Sequence, residues 1–72
     1  MDFRWNEWNV EHIAKHGVEP DEAEWLVRNA RRPFPLYHGD SKWIVQGRGP
    51  GGKFLQVIFV SDPDEAVFVI HA

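Results

Sequence analysis

Two turn-forming tetrapeptides, Gly49-Pro50-Gly51-Gly52 and Asp62-Pro63-Asp64-Glu65, constrain this chain more than any other feature. Glycine tolerates positive φ, proline presets the turn, and aspartate bonds the backbone just ahead of it, so both segments reverse the chain. They separate three extended runs, Lys42 to Arg48, Lys53 to Ser61 and Ala66 to His71. Connections this short join antiparallel strands, because a parallel crossover needs a dozen residues or more. The C-terminal half is therefore an antiparallel meander. Pro33 and Pro35 end helical structure upstream of it and suggest an extended or edge segment through Tyr37, with a turn at His38-Gly39-Asp40-Ser41.

The N-terminal half reads as two helices. Asp2 to Trp5 is a short strand or a staple, and Asn6 is suited to capping a helix that runs to about His16. Gly17 fits the left-handed position after it, with Lys15 and His16 at the negative end of the dipole. Pro20 suits the first position of a second helix, Asp21, Glu22 and Glu24 complement its positive end, and Arg28, Arg31 and Arg32 close it. Ala23, Leu26, Val27 and Ala30 form its core stripe. The fold expected is α+β, with two N-terminal helices packed on a three- to four-stranded antiparallel sheet in a single domain of 72 residues.

At helical spacing Val10, Ile13, Ala14 and Gly17 fall on one side of the first helix, and Trp8, His12 and Lys15 fall on the other. An aromatic, an imidazole and an ammonium on a wet face need a reason: a partner surface, a nucleic-acid site or a second layer of the fold. Trp25 points away from its own core stripe in the same way. Trp8, His12 and Trp25 are therefore candidate partner-binding residues, and self-association into a homodimer is one outcome.

A four-residue loop at 49–52 would set Arg48 opposite Lys53. Lys42, Ile44, Gln46, Arg48, Lys53, Leu55, Val57 and Phe59 would then share one face, and Trp43, Val45, Phe54, Ile58 and Val60 the face under the helices.

Composition bounds the chemistry. There are no cysteines, so neither disulfides nor thiolate metal sites support the core. Apolar runs such as Val57 to Val60 are far short of the roughly 20 residues of a membrane span, so a cytoplasmic protein is expected. The net charge of −3 argues against strong nucleic-acid binding, but its distribution is uneven. Residues 31–60 carry five bases (Arg31, Arg32, Lys42, Arg48, Lys53) against one acid, Asp40. Such an island steers anions whatever the total charge.

His12 and His16 have an i, i+4 spacing, but Ile13 breaks the His-Glu-x-x-His pattern, and no metal or other cofactor is expected. Gly47-x-Gly49-x-Gly51-Gly52 joins strands, whereas a phosphate-cradling loop opens a helix. What remains is a set of His, Lys and Arg. That set suits metal-free cleavage of RNA, in which a base activates the 2′-hydroxyl, an acid protonates the leaving oxygen and cations hold the phosphate. Arg48 and Lys53 could clamp a phosphate, and His71 could join them if the last strand pairs beside the second of the three. A non-catalytic interaction module is the alternative.

Trp5-Asn6, Lys15-His16-Gly17-Val18 and Pro20-x-Glu22-Ala23 resemble the start of the BrnT family, the toxin halves of bacterial type II toxin–antitoxin pairs. Val45-x-Gly47-Arg48, Gly52-Lys53-x-Leu55-x-Val57 and Val67-x-Val69-Ile70-x-Ala72 match the family's hairpin and last strand in kind. The resemblance implies a RelE-like fold, metal-independent endoribonuclease activity, and a small DNA-binding antitoxin as partner. Carried over by position, it implies functional roles for Lys15, His16, Arg48 and Lys53. Family members continue through an Ala-Arg motif into a basic helix, whereas this sequence stops at His71-Ala72, so a C-terminally short member is expected.

Overall fold

Asn6 starts the first helix by the reciprocal bonding its side chain allows. In a computed structural model describing residues 1–72, Asn6 Oδ1 accepts the Asn9 N–H at 3.2 Å and Asn9 Oδ1 accepts the Asn6 N–H at 2.8 Å. The helix, α1, spans Glu7–Ala14 and stops two residues before the expected His16. Its end is a Schellman closure, with Gly17 N–H donating to the Ala14 carbonyl, Val18 N–H to the Ile13 carbonyl, and Gly17 at φ +73° as expected. The second helix, α2, spans Pro20–Arg28 and opens with the Glu19 N–H donating to Glu22 Oε1 at 3.0 Å. Asn29 caps it, donating from Nδ2 to the Trp25 carbonyl, so Arg31 and Arg32 lie beyond the helix they were expected to close.

Four strands follow, β1 (Leu36–Gly39), β2 (Lys42–Arg48), β3 (Phe54–Ser61) and β4 (Val67–His71), in one antiparallel sheet of that spatial order. The expected edge segment is thus a true fourth strand. Asp40 and Ser41 turn it into β2 with positive φ at both positions. The N-terminal segment borders the far edge. Phe3 bridges in parallel to Val67, with Arg4 N–H on the Val67 carbonyl and Val67 N–H on the Asp2 carbonyl.

The β2–β3 register differs by one residue from the expected one. Gly49 N–H donates to the Lys53 carbonyl at 2.8 Å, so Gly49 belongs to the ladder and only Pro50, Gly51 and Gly52 form the loop. Gly52 N–H closes a turn on the Gly49 carbonyl, and Gly52 takes φ +85°. This is the three-residue hairpin whose last loop position is left-handed. Arg48 therefore pairs with Phe54, not Lys53. The slip inverts the side-chain assignment along β3. Leu55, Val57 and Phe59 are buried beneath the helices, beside the buried Val45 and half-buried Trp43 of β2, while Phe54, Ile58 and Val60 lie on the uncovered face.

The core joins Ile13, Val18, Ala23, Leu26 and Val27 to Val45, Leu55, Val57, Phe59, Val67 and Val69. The stripe of α2 is as expected, with Ala30 half-buried at its end. That of α1 is rotated. Asn9 and Ile13 are buried and Ala14 is exposed, because α1 packs on β4 while α2 packs on β2 and β3. Asn9 has no exposed surface, and its Nδ2 donates to the Arg4 carbonyl at 3.1 Å, so every polar atom of this core asparagine is used. A Cβ on Gly47 would come within 3.3 Å of Leu26 Cδ1, so this glycine lets α2 settle closely on β2. Trp5 Nε1 ties the N-terminal segment to α2 by donating to Glu24 Oε2 at 2.6 Å. No helix is long and apolar enough to cross a membrane.

Candidate functional site

Three of the four histidines meet where α1 borders β4. Trp8 and His12, one turn apart, stack with ring centroids 5.0 Å apart and planes 7° from parallel. His16 follows in the turn closed by Gly17. His71 reaches both through a β-bulge: Phe59 pairs with Val69 but Ile58 pairs with His71, leaving Ile70 as an extra residue that re-aims the strand end. The His71 ring lies 5.2 Å from His16 and 6.2 Å from His12, edge-on to each. His16 is exposed, and His12 and His71 are half-buried. The imidazoles are not arranged as a metal-ligand set.

Lys53 borders this cluster. Position 53 shares the helix-covered face with Leu55, and its Nζ donates to the Gly17 carbonyl at 3.0 Å, one residue from His16. An ammonium is thereby tethered beside the histidine turn. Lys15 caps α1, is exposed and makes no salt bridge.

Arg48 stands apart, which corrects the expected phosphate clamp. The one-residue slip sends Arg48 and Lys53 to opposite faces, and Arg48 Nη1 bonds the Gly52 carbonyl at 2.9 Å. β4 does pair with β3, but His71 stands opposite Ile58 whereas Arg48 stands opposite Phe54, so His71 does not join Arg48.

Trp8 is also partly committed within the fold. It is 54% exposed, yet its ring stacks on His12 and lies 6.1 Å from Phe68, over which the Arg4 guanidinium sits at 4.6 Å. Of the three reasons proposed for the Trp8 and His12 stripe, the second layer of the fold is realised in part.

Trp25 belongs to a second assembly, a cleft of about 380 Å³ between the C-terminal end of α2 and β2. Leu26, Ala30 and Phe34 are its other apolar lining, and Arg31, Arg32 and Arg48 are its cations. The molecule's salt bridges are Arg4–Asp62 and Arg28–Glu24, so these three guanidiniums have no carboxylate partner. Arg31 and Arg32 were legible as part of a basic island and as helix-closing charges, not as residues of a cleft. Two prolines just after them were the available signal that they leave the helix.

No family model, no curated protein and no solved structure matches the chain.

Proposed function

We propose that this chain is a metal-independent endoribonuclease of the BrnT-like toxin kind, acting in the bacterial cytoplasm and held in check by a small DNA-binding antitoxin. The observation that carries the reading is the His16–His71 pair, 5.2 Å between ring centroids, with the Lys53 ammonium tethered one residue from His16. One imidazole removes the 2′-hydroxyl proton and the 2′-oxygen attacks phosphorus. The 5′-oxygen leaves with a proton from the other imidazole, giving a 2′,3′-cyclic phosphate and a 5′-hydroxyl. Lys53 offsets the charge gathering on the phosphate. His12, held by Trp8, positions His71. Arg48 takes no part in the step.

End-labelled RNA incubated with the purified protein in EDTA tests this. The expected result is cyclic-phosphate ends, with His16→Ala and His71→Ala each lowering the rate at least about 100-fold. RNA left intact, or histidine variants as active as the parent, would overturn the nuclease reading and leave a non-catalytic interaction module of the same fold.

A further inference from the structure

The second assembly contains an uncovered strand edge. The Gly49–Lys53 bond fixes the alternation of the β2–β3 ladder, so odd positions of β2 bond to β3 and Gln46 and Arg48 turn their N–H and C=O groups outward. β1 covers that side of β2 only as far as the Leu36–Ile44 pair. Continued backwards along β2, β1 would set Phe34 opposite Gln46, but the Phe34 N–H is already spent on the Arg31 carbonyl at 2.9 Å. The outer edge of Gln46–Arg48 is therefore left bare, and it forms one wall of the arginine cleft.

We propose that this edge takes an extended acidic peptide, added to the sheet as a new strand along Gln46–Arg48. The bare edge offers donors and acceptors in alternation, which matches a polypeptide backbone. A ribose-phosphate chain has no comparable run of donors for the outward carbonyls. Charge selects the sequence. On the helix side the edge is flanked by Arg31 and Arg32, neither of which has a carboxylate partner. Glutamate or aspartate at alternate positions of an added strand, about 7 Å apart, falls on one side of it and meets them. Trp25, 42% exposed, and half-buried Phe34 lie on that same side and offer apolar contact to the aliphatic stems of those acids. A second copy fits poorly, because pairing two β2 edges would bring both sets of arginines together. Nothing in this surface depends on the histidine chemistry.

The test is titration of the isotope-labelled protein with a short capped peptide of alternating valine and glutamate, followed by amide NMR. The expected result is saturable shifts centred on the Gln46 and Arg48 amides, with both protected from exchange. Affinity should fall at least tenfold for Arg31→Glu/Arg32→Glu and for a peptide N-methylated at alternate residues. The N-methylated ligand removes edge pairing without altering the protein, so a misfolded variant does not decide the outcome. Equal binding of the valine–lysine counterpart, or undiminished binding of the N-methylated peptide, would overturn the proposal. So would oligouridylate shifting the same amides where the acidic peptide does not, or self-association of the protein alone through Gln46–Arg48.

Discussion

Gly52 and Glu65 hold the same backbone position in successive hairpins. Gly49 N–H to the Lys53 carbonyl and Gly52 N–H to the Gly49 carbonyl close the first. Asp62 N–H to the Ala66 carbonyl and Glu65 N–H to the Asp62 carbonyl close the second. Both residues are left-handed, at φ +85° and +65°. A side chain there is costly, and in the second hairpin Asp62 offsets the cost by accepting the Asp64 and Ala66 N–H groups on Oδ1 and the Arg4 Nε–H on Oδ2. Glu65→Gly should therefore stabilise the protein by about 0.5–1 kcal/mol and Gly52→Ala destabilise it by about 1 kcal/mol. Urea denaturation of the two variants checks both signs.

Asn9 should be less replaceable than a helix-surface asparagine. Asn9→Ala removes the acceptor for the Asn6 N–H and the donor to the Arg4 carbonyl at a site with no exposed surface. The expected loss is about 1–3 kcal/mol. Asn6→Ala, which removes the partner cap from an exposed position, should cost about 1 kcal/mol. Thermal unfolding of the pair should rank Asn9→Ala below Asn6→Ala.

The Trp8–Phe68 stack wraps the outer edge of β4, because Phe68 alternates with the core residues Val67 and Val69. A double-mutant cycle of Trp8→Ala and Phe68→Ala should give a coupling of about 0.5–1.5 kcal/mol. Additive effects would show that the rings act independently and that Trp8 is available in full to a partner.

Lys53 makes one exposed hydrogen bond, to the Gly17 carbonyl. Lys53→Met should change stability by less than about 1 kcal/mol while cutting RNA cleavage at least about tenfold. Arg48→Met should leave the cleavage step at the parental rate. Single-turnover kinetics beside denaturation curves separates the two effects.

Several elements were legible because one residue type settles each of them. Asn6 caps, Gly17 turns left-handed, Pro20 opens a helix, and Ala23, Leu26 and Val27 point inward. Register was not legible, because Gly49-Pro50-Gly51-Gly52 accommodates a loop of either three or four residues, and that single residue decides which face every side chain of β3 takes. Asn9 was hidden by its polarity, since periodicity counts apolar residues. The histidine cluster depends on the extra residue Ile70, and a bulge inside an apolar strand leaves no compositional trace. Had β4 kept strict alternation, Ile70 and not His71 would stand opposite Ile58. Arg31 and Arg32 looked like helix-closing charges until Asn29 proved to be the cap.

The bridge of Phe3 to Val67 has a bearing on assembly. The Asp2–Arg4 segment takes up the outward N–H and C=O of Val67, so the far border of the sheet is not a free edge at that end of β4. That pair of bonds works against edge-to-edge growth from one molecule to the next. Peeling away those first residues would free the Val67 backbone and favour fibrous polymers.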